Sequence, residues 1–138
     1  MSSLKRSECA ILPLVLTGRW FRMIERGEKR EEYRAATQYW GKRLANWLDP
    51  FAGVAKVVEF RLGYASDAPR MAFAVREVFR RYPAPHPEWG EVAGEEHFVL
   101  RLGGRVELSD GQSSSRETPA NPLRPSRDPS AGGVRVAP

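Results

Sequence analysis

Positions 28 to 34 read Glu-Lys-Arg-Glu-Glu-Tyr-Arg, six charged residues in seven. Three of them have the types that hold an anionic or polar ligand. Arg34 carries a planar fork of donors that suits phosphate or carboxylate. Lys29 is a compact cation whose proton affinity falls when water is removed, so it can act as cation, base or nucleophile. Glu32 can hold the arginine, accept a base N–H or move a proton. On an extended chain Glu32 and Arg34 share one side, Glu31 and Tyr33 the other. The plainer reading is a surface ion pair on a solvated strand, worth about 0–1 kcal/mol. Arg30 and Glu31 read as solvated positions. Tyr33, Tyr64 and Trp89 could stack on a base, at roughly 1–3 kcal/mol per base in single-strand binders. Arg19, Lys42, Arg43 and Arg61 complete a basic set for phosphates.

Other chemistry is thinly supported. Cys9 is the only cysteine, so no internal disulfide can form, and a zinc site would need other ligands. His86 and His97 show no metal-ligand spacing. His86 lies between two prolines and reads as exposed; His97 reads as a strand cap. No metal and no cofactor is implied. Asp67 reads as shaping the turn before Pro69.

The elements that must position the cluster follow from periodicity. Ile11–Leu16 reads as a short buried strand. Thr17 is a suitable N-cap for a helix whose apolar face is Trp20, Phe21 and Ile24, and Gly27 suits its left-handed end. The charged run is then a short strand. Gln38–Leu48 reads as a helix, with Trp40, Leu44, Trp47 and Leu48 on one stripe. Trp20, Phe21, Trp40 and Trp47 read as core before ligand platform. Val54–Tyr64 alternates, as does the run from Met71 toward Phe79. Tyr82–Glu96 is a loop rich in Pro and Gly. His97–Leu102 is a strand, and Gly103-Gly104 reads as a turn into a last short strand, Arg105–Leu108. Strands joined by turns favour antiparallel pairing. The fold class is α+β: a small mixed barrel with two to three helices.

The chain has 138 residues, 28% charged and 41% hydrophobic, ordinary for one globular domain. Residues 109–138 hold six Ser, five Pro and three Gly with no aromatic, a composition expected to stay disordered. The folded domain is therefore expected over 1–108. The net charge of +5 permits an anionic partner without demanding one. The apolar run Ala10–Leu16 is too short for a membrane span and lacks an export cleavage site, so a cytoplasmic location without membrane contact is expected.

The octapeptide Gly27-Glu28-Lys29-Arg30-Glu31-Glu32-Tyr33-Arg34, following Trp20-Phe21 and Ile24, resembles the ASCH family. The likeness extends to Tyr39-Trp40 with Lys42-Arg43-Leu44, to Val58–Tyr64, to Asp67–Met71, and to Trp89-Gly90 with Phe98–Gly103. It spans about residues 11 to 104 and resembles a bacterial and phage subgroup. It implies a PUA-like pseudo-barrel with a cleft that handles RNA or a modified nucleoside. The candidate ligand site is Lys29, Glu32 and Arg34 of the octapeptide, joined on chemical type by Tyr33, Arg61, Tyr64 and Trp89. Some members are ribonucleases and others amidohydrolases of acylated cytidine. The amidohydrolase branch has a Thr where Glu32 stands, so its nucleophile is missing. Binding of RNA or a nucleotide-like ligand is the leading expectation. A metal-independent hydrolase using Lys29 and Glu32 is the alternative. A protein-interaction module using the tail is the third. Oligomeric state is left open.

Overall fold

The computed structural model describes residues 2–50, 55–82 and 85–110. By its contacts the chain divides into two units, Met1–Leu108 and Ser109–Pro138. The expected tail, 109–138, lies outside the described residues except for its first two positions.

The elements run β1 (Ser2–Lys5), β2 (Cys9–Leu16), α1 (Gly18–Glu25), β3 (Glu31–Ala35), α2 (Gln38–Trp47), β4 (Ala55–Leu62), β5 (Arg70–Arg81) and β6 (His97–Ser109). They form one six-stranded mixed sheet in the order β1-β6-β5-β4-β2, with β3 also paired to β6. The class is α+β, as expected. The sheet is not closed into a barrel: among the described residues β2 ends the order, with β4 as its strand neighbour. That pair is parallel, Leu12 against Val58 and Leu14 against Phe60, because α1, β3 and α2 intervene and return the chain in the same direction. The later strands pair antiparallel.

Both helices cover one face. Ala10, Leu12, Leu14 and Leu16 alternate inward from β2 and meet Phe21 and Ile24 of α1 and Leu44 and Trp47 of α2. Each large apolar side chain buried here stabilises by about 1.5–3 kcal/mol. Trp47 satisfies its indole by donating to the Ala10 carbonyl at 2.8 Å. The expected helical stripe stops one residue early. Leu48 caps α2 and is 40% exposed. The other sheet face carries a smaller cluster of Val57, Ala72 and Val106. Beside it Glu59 accepts both arms of Arg6, at 2.9 and 3.0 Å.

Two sequence expectations change. The strand Ser2–Lys5 precedes the expected first one and was not foreseen. Gly103-Gly104 does not turn: β6 continues through it to Ser109. The β5–β6 register slips between Phe73 and Glu77. A Cβ at Gly103 would come within 3.0 Å of Arg76 Cγ, so the glycine allows close approach at an irregular pairing instead of a hairpin. The expected strand from Val54 is seen from Ala55; residues 51–54, and 83–84 of the Tyr82–Glu96 loop, lie outside the described residues.

Candidate ligand cavity

The octapeptide is placed by the end of α1. Arg26 caps the helix, and Gly27 takes φ 81°. Gly27 N–H donates to the Ile24 carbonyl at 3.0 Å and Glu28 N–H to the Met23 carbonyl at 2.9 Å. These two bonds are a Schellman ending, which needs a left-handed residue between them. Lys29 N–H then also donates to the Met23 carbonyl. The turn thus aims the Lys29 side chain back under the helix before β3 begins. β3 is fixed against β6, Glu32 opposite Leu100 and Arg34 opposite Phe98.

Lys29 is 2% exposed and Glu32 4%. Glu32 divides its oxygens: Oε1 lies 3.1 Å from Lys29 Nζ and Oε2 2.8 Å from Arg34 Nη1. Lys29 Nζ also donates to the Trp89 carbonyl at 2.6 Å. The ammonium lies 4.5 Å from the Tyr33 ring centre and 5.3 Å from that of Trp20, both cation–π distances. Arg34 donates further to the carbonyls of Tyr33 and Val15. Its Nε is buried with no hydrogen-bond partner. Burial lowers the proton affinity of Lys29, and the Glu32 carboxylate partly opposes this.

These groups line a cavity of about 210 Å³ together with Thr17, Trp20, Trp89 and Gly90. Gly90, at φ 98°, closes one wall: a Cβ there would come within 3.0 Å of the Trp20 ring. Thr17 sits at the N-cap of α1, but its hydroxyl makes no capping bond. The Tyr82–Glu96 loop therefore contributes part of the wall. His86 stacks on Trp89, with centres 4.1 Å apart, and is not simply exposed.

Of the residues singled out in sequence, Lys29, Glu32, Tyr33, Arg34 and Trp89 meet at this cavity. Arg61 and Tyr64 do not line it. Arg61 donates to the carbonyls of Ala65 and Tyr64 at the β4–β5 turn, and Tyr64 is 85% exposed. Arg61 Nε and His97 Nδ1 are also buried without partners, away from the cavity lining. Sequence reasoning assigned Trp20 to the core. It packs there and also lines the cavity, which its place on the helical stripe could not reveal.

Glu31 is the clearest departure. Instead of facing solvent it is buried, accepting from Tyr33 OH at 2.9 Å and from Arg81 at 2.8 Å, with Arg101 near its second oxygen. Arg81 also makes a two-armed pair with buried Glu91. Burial raises the Glu31 carboxyl, but the donors from Arg81, Tyr33 and Arg101 outweigh it and hold the group below its usual value. Tyr33 is pushed well above the ordinary phenol range by burial and by Glu31. This network ties the loop after β5 to β3, directly behind the cavity.

Among the described residues no group of three or more His, Cys, Asp or Glu is placed to hold a metal, and no helix is long and apolar enough to cross a membrane. No protein-family model matches the chain, and no curated protein matches it.

Proposed function

We propose that the cavity binds a nucleotide-like group, most simply the base or sugar of an RNA residue. The observation that carries this reading is the pair of cations, buried Lys29 and half-buried Arg34, sharing one buried carboxylate beside aromatic walls. Two cations against one anion leave the hollow net positive. Arg34 Nε, on a residue that lines the hollow, is a buried donor without a hydrogen-bond partner. Trp20, Tyr33 and Trp89 supply flat apolar surface for a ring. The finer family reading, an ASCH-type and PUA-like domain, belongs to the same proposal. It rests on the octapeptide and the ordered segments alone, since the sheet is open where the resemblance implies a barrel.

The hydrolytic alternative has one observation in its favour, the lowered proton affinity of Lys29 beside Glu32. Against it, the ammonium is committed to the Trp89 carbonyl and to Glu32. The test is titration of labelled single-stranded RNA at about 50 and 200 mM salt. Binding that weakens with salt and falls at least tenfold in Arg34→Gln supports the reading. No binding at the lower salt ends it. Turnover of RNA or acylated nucleosides, lost in Lys29→Met, would favour the hydrolase instead.

A further inference from the structure

A cavity of about 210 Å³ is smaller than the roughly 300–1,000 Å³ of pockets that enclose a drug-sized ligand. It has room for one ring or sugar and leaves the rest of any nucleotide outside. What lies next to it is therefore informative. Arg34 passes from the cavity wall to the Trp40 ring, with 5.1 Å between guanidinium carbon and ring centre. Arg43, one turn along α2, lies 4.9 Å from the same ring and 5.9 Å from that of Tyr39. Tyr39 packs edge-on against Trp40 at 5.2 Å and is 61% exposed.

The two arginines are also held at a fixed spacing. Arg34 donates to the Val15 carbonyl at 3.5 Å and Arg43 to the Pro13 carbonyl at 3.4 Å. Those carbonyls are two residues apart on one strand, about 7 Å. A single sugar–phosphate repeat can span that distance. Neither Arg43 nor Tyr39 has a carboxylate partner among the described residues. Tyr39 adds little to the core, yet its exposed ring is held beside the Arg43 guanidinium, which donates to its hydroxyl at 3.5 Å, so ring and cation face solvent together. Bases stack on such rings whatever their sequence, and phosphates meet the guanidinium groups.

We propose that Tyr39, Trp40 and Arg43 form a second subsite, so that the ligand is a single-stranded nucleic acid of at least two residues and not a free nucleotide. This rests on the nucleotide reading of the cavity. One residue enters the cavity; its neighbour leaves along the N-terminal part of α2, with a phosphate between Arg34 and Arg43 and a base against Tyr39. No covalent step is involved.

The experiment compares a nucleoside monophosphate with two-, four- and six-residue single-stranded RNA of one base, using the full chain at fixed salt. Affinity is expected to rise from the monophosphate to the short oligomers and then level off. Tyr39→Ala should weaken oligomer binding roughly tenfold while leaving monophosphate binding unchanged, and Arg43→Gln should weaken oligomer binding more than monophosphate binding, because a single phosphate also meets Arg43. Arg43→Lys, which keeps the charge and loses the planar stack, should recover only part of the loss. Equal affinity for monophosphate and oligomer overturns the subsite while sparing the cavity reading, and so do variants that weaken both probes alike. Failure of the folded wild type to bind any of these probes overturns both.

Discussion

Glu32 is the residue on which the cavity turns, because one carboxylate bridges two cations and one of those is almost wholly buried. Removing one member of a buried pair costs about 3–5 kcal/mol, because the partner charge stays buried and unpaired. Glu32→Gln is therefore expected to lower stability by about 3 kcal/mol in chemical denaturation. Lys29→Met with Glu32→Gln should cost less than the two changes added, because the double variant leaves no fully buried charge and strands only the half-buried Arg34. Strict additivity would mean that the pair is not coupled. Glu31 makes a separate prediction about acid. Its carboxyl is held below the usual value near 4.5, so its contribution is fully present above that pH and is lost as pH falls through the folded value. Glu31→Gln should be less stable at pH 7, by about 2 kcal/mol, below the usual penalty because Arg81 keeps Glu91. The variant should also lose less further stability than the wild type between about pH 5 and pH 2. Parallel acid profiles would contradict this.

Among the elements, two glycines separate the placing of the cavity from its shape. At Gly27 a Cβ would meet nothing within 4 Å, so Gly27→Ala carries only the left-handed backbone cost, about 1–2 kcal/mol. At Gly90 the same change adds a clash with Trp20, a wall of the cavity. Gly90→Ala is expected to weaken ligand binding by tenfold or more beyond any loss of stability; Gly27→Ala is expected to lose stability first. Equal binding losses at equal stability would contradict the assignment of Trp20. The helix, its glycine end and the charged strand after it were legible in the sequence because each rests on local rules: capping, helical spacing and alternation. Glu31 was not. Its burial depends on Arg81 and Arg101, 50 and 70 positions away, and no local pattern reports such a partner. Gly103 misled for the same reason, since a turn and a slipped register ask for the same residue. Arg61 and Tyr64 were drawn into the site by chemical type alone, and the β4–β5 turn holds them elsewhere.

At the scale of the whole molecule, the helices close one sheet face, and the cavity forms where α1, β2, β3 and the loop after β5 meet. The four tryptophans sample this architecture separately. Trp20 and Trp89 wall the cavity, Trp40 stands beside it, and Trp47 is sealed in the core with its indole bonded to Ala10. The direct measurement is therefore the set of indole N–H resonances of the labelled full chain during titration with short single-stranded RNA. Shifts at Trp20 and Trp89, with Trp47 unmoved, are the expected result. A titration that saturates while Trp20 and Trp89 stay fixed would place the ligand elsewhere and contradict the account.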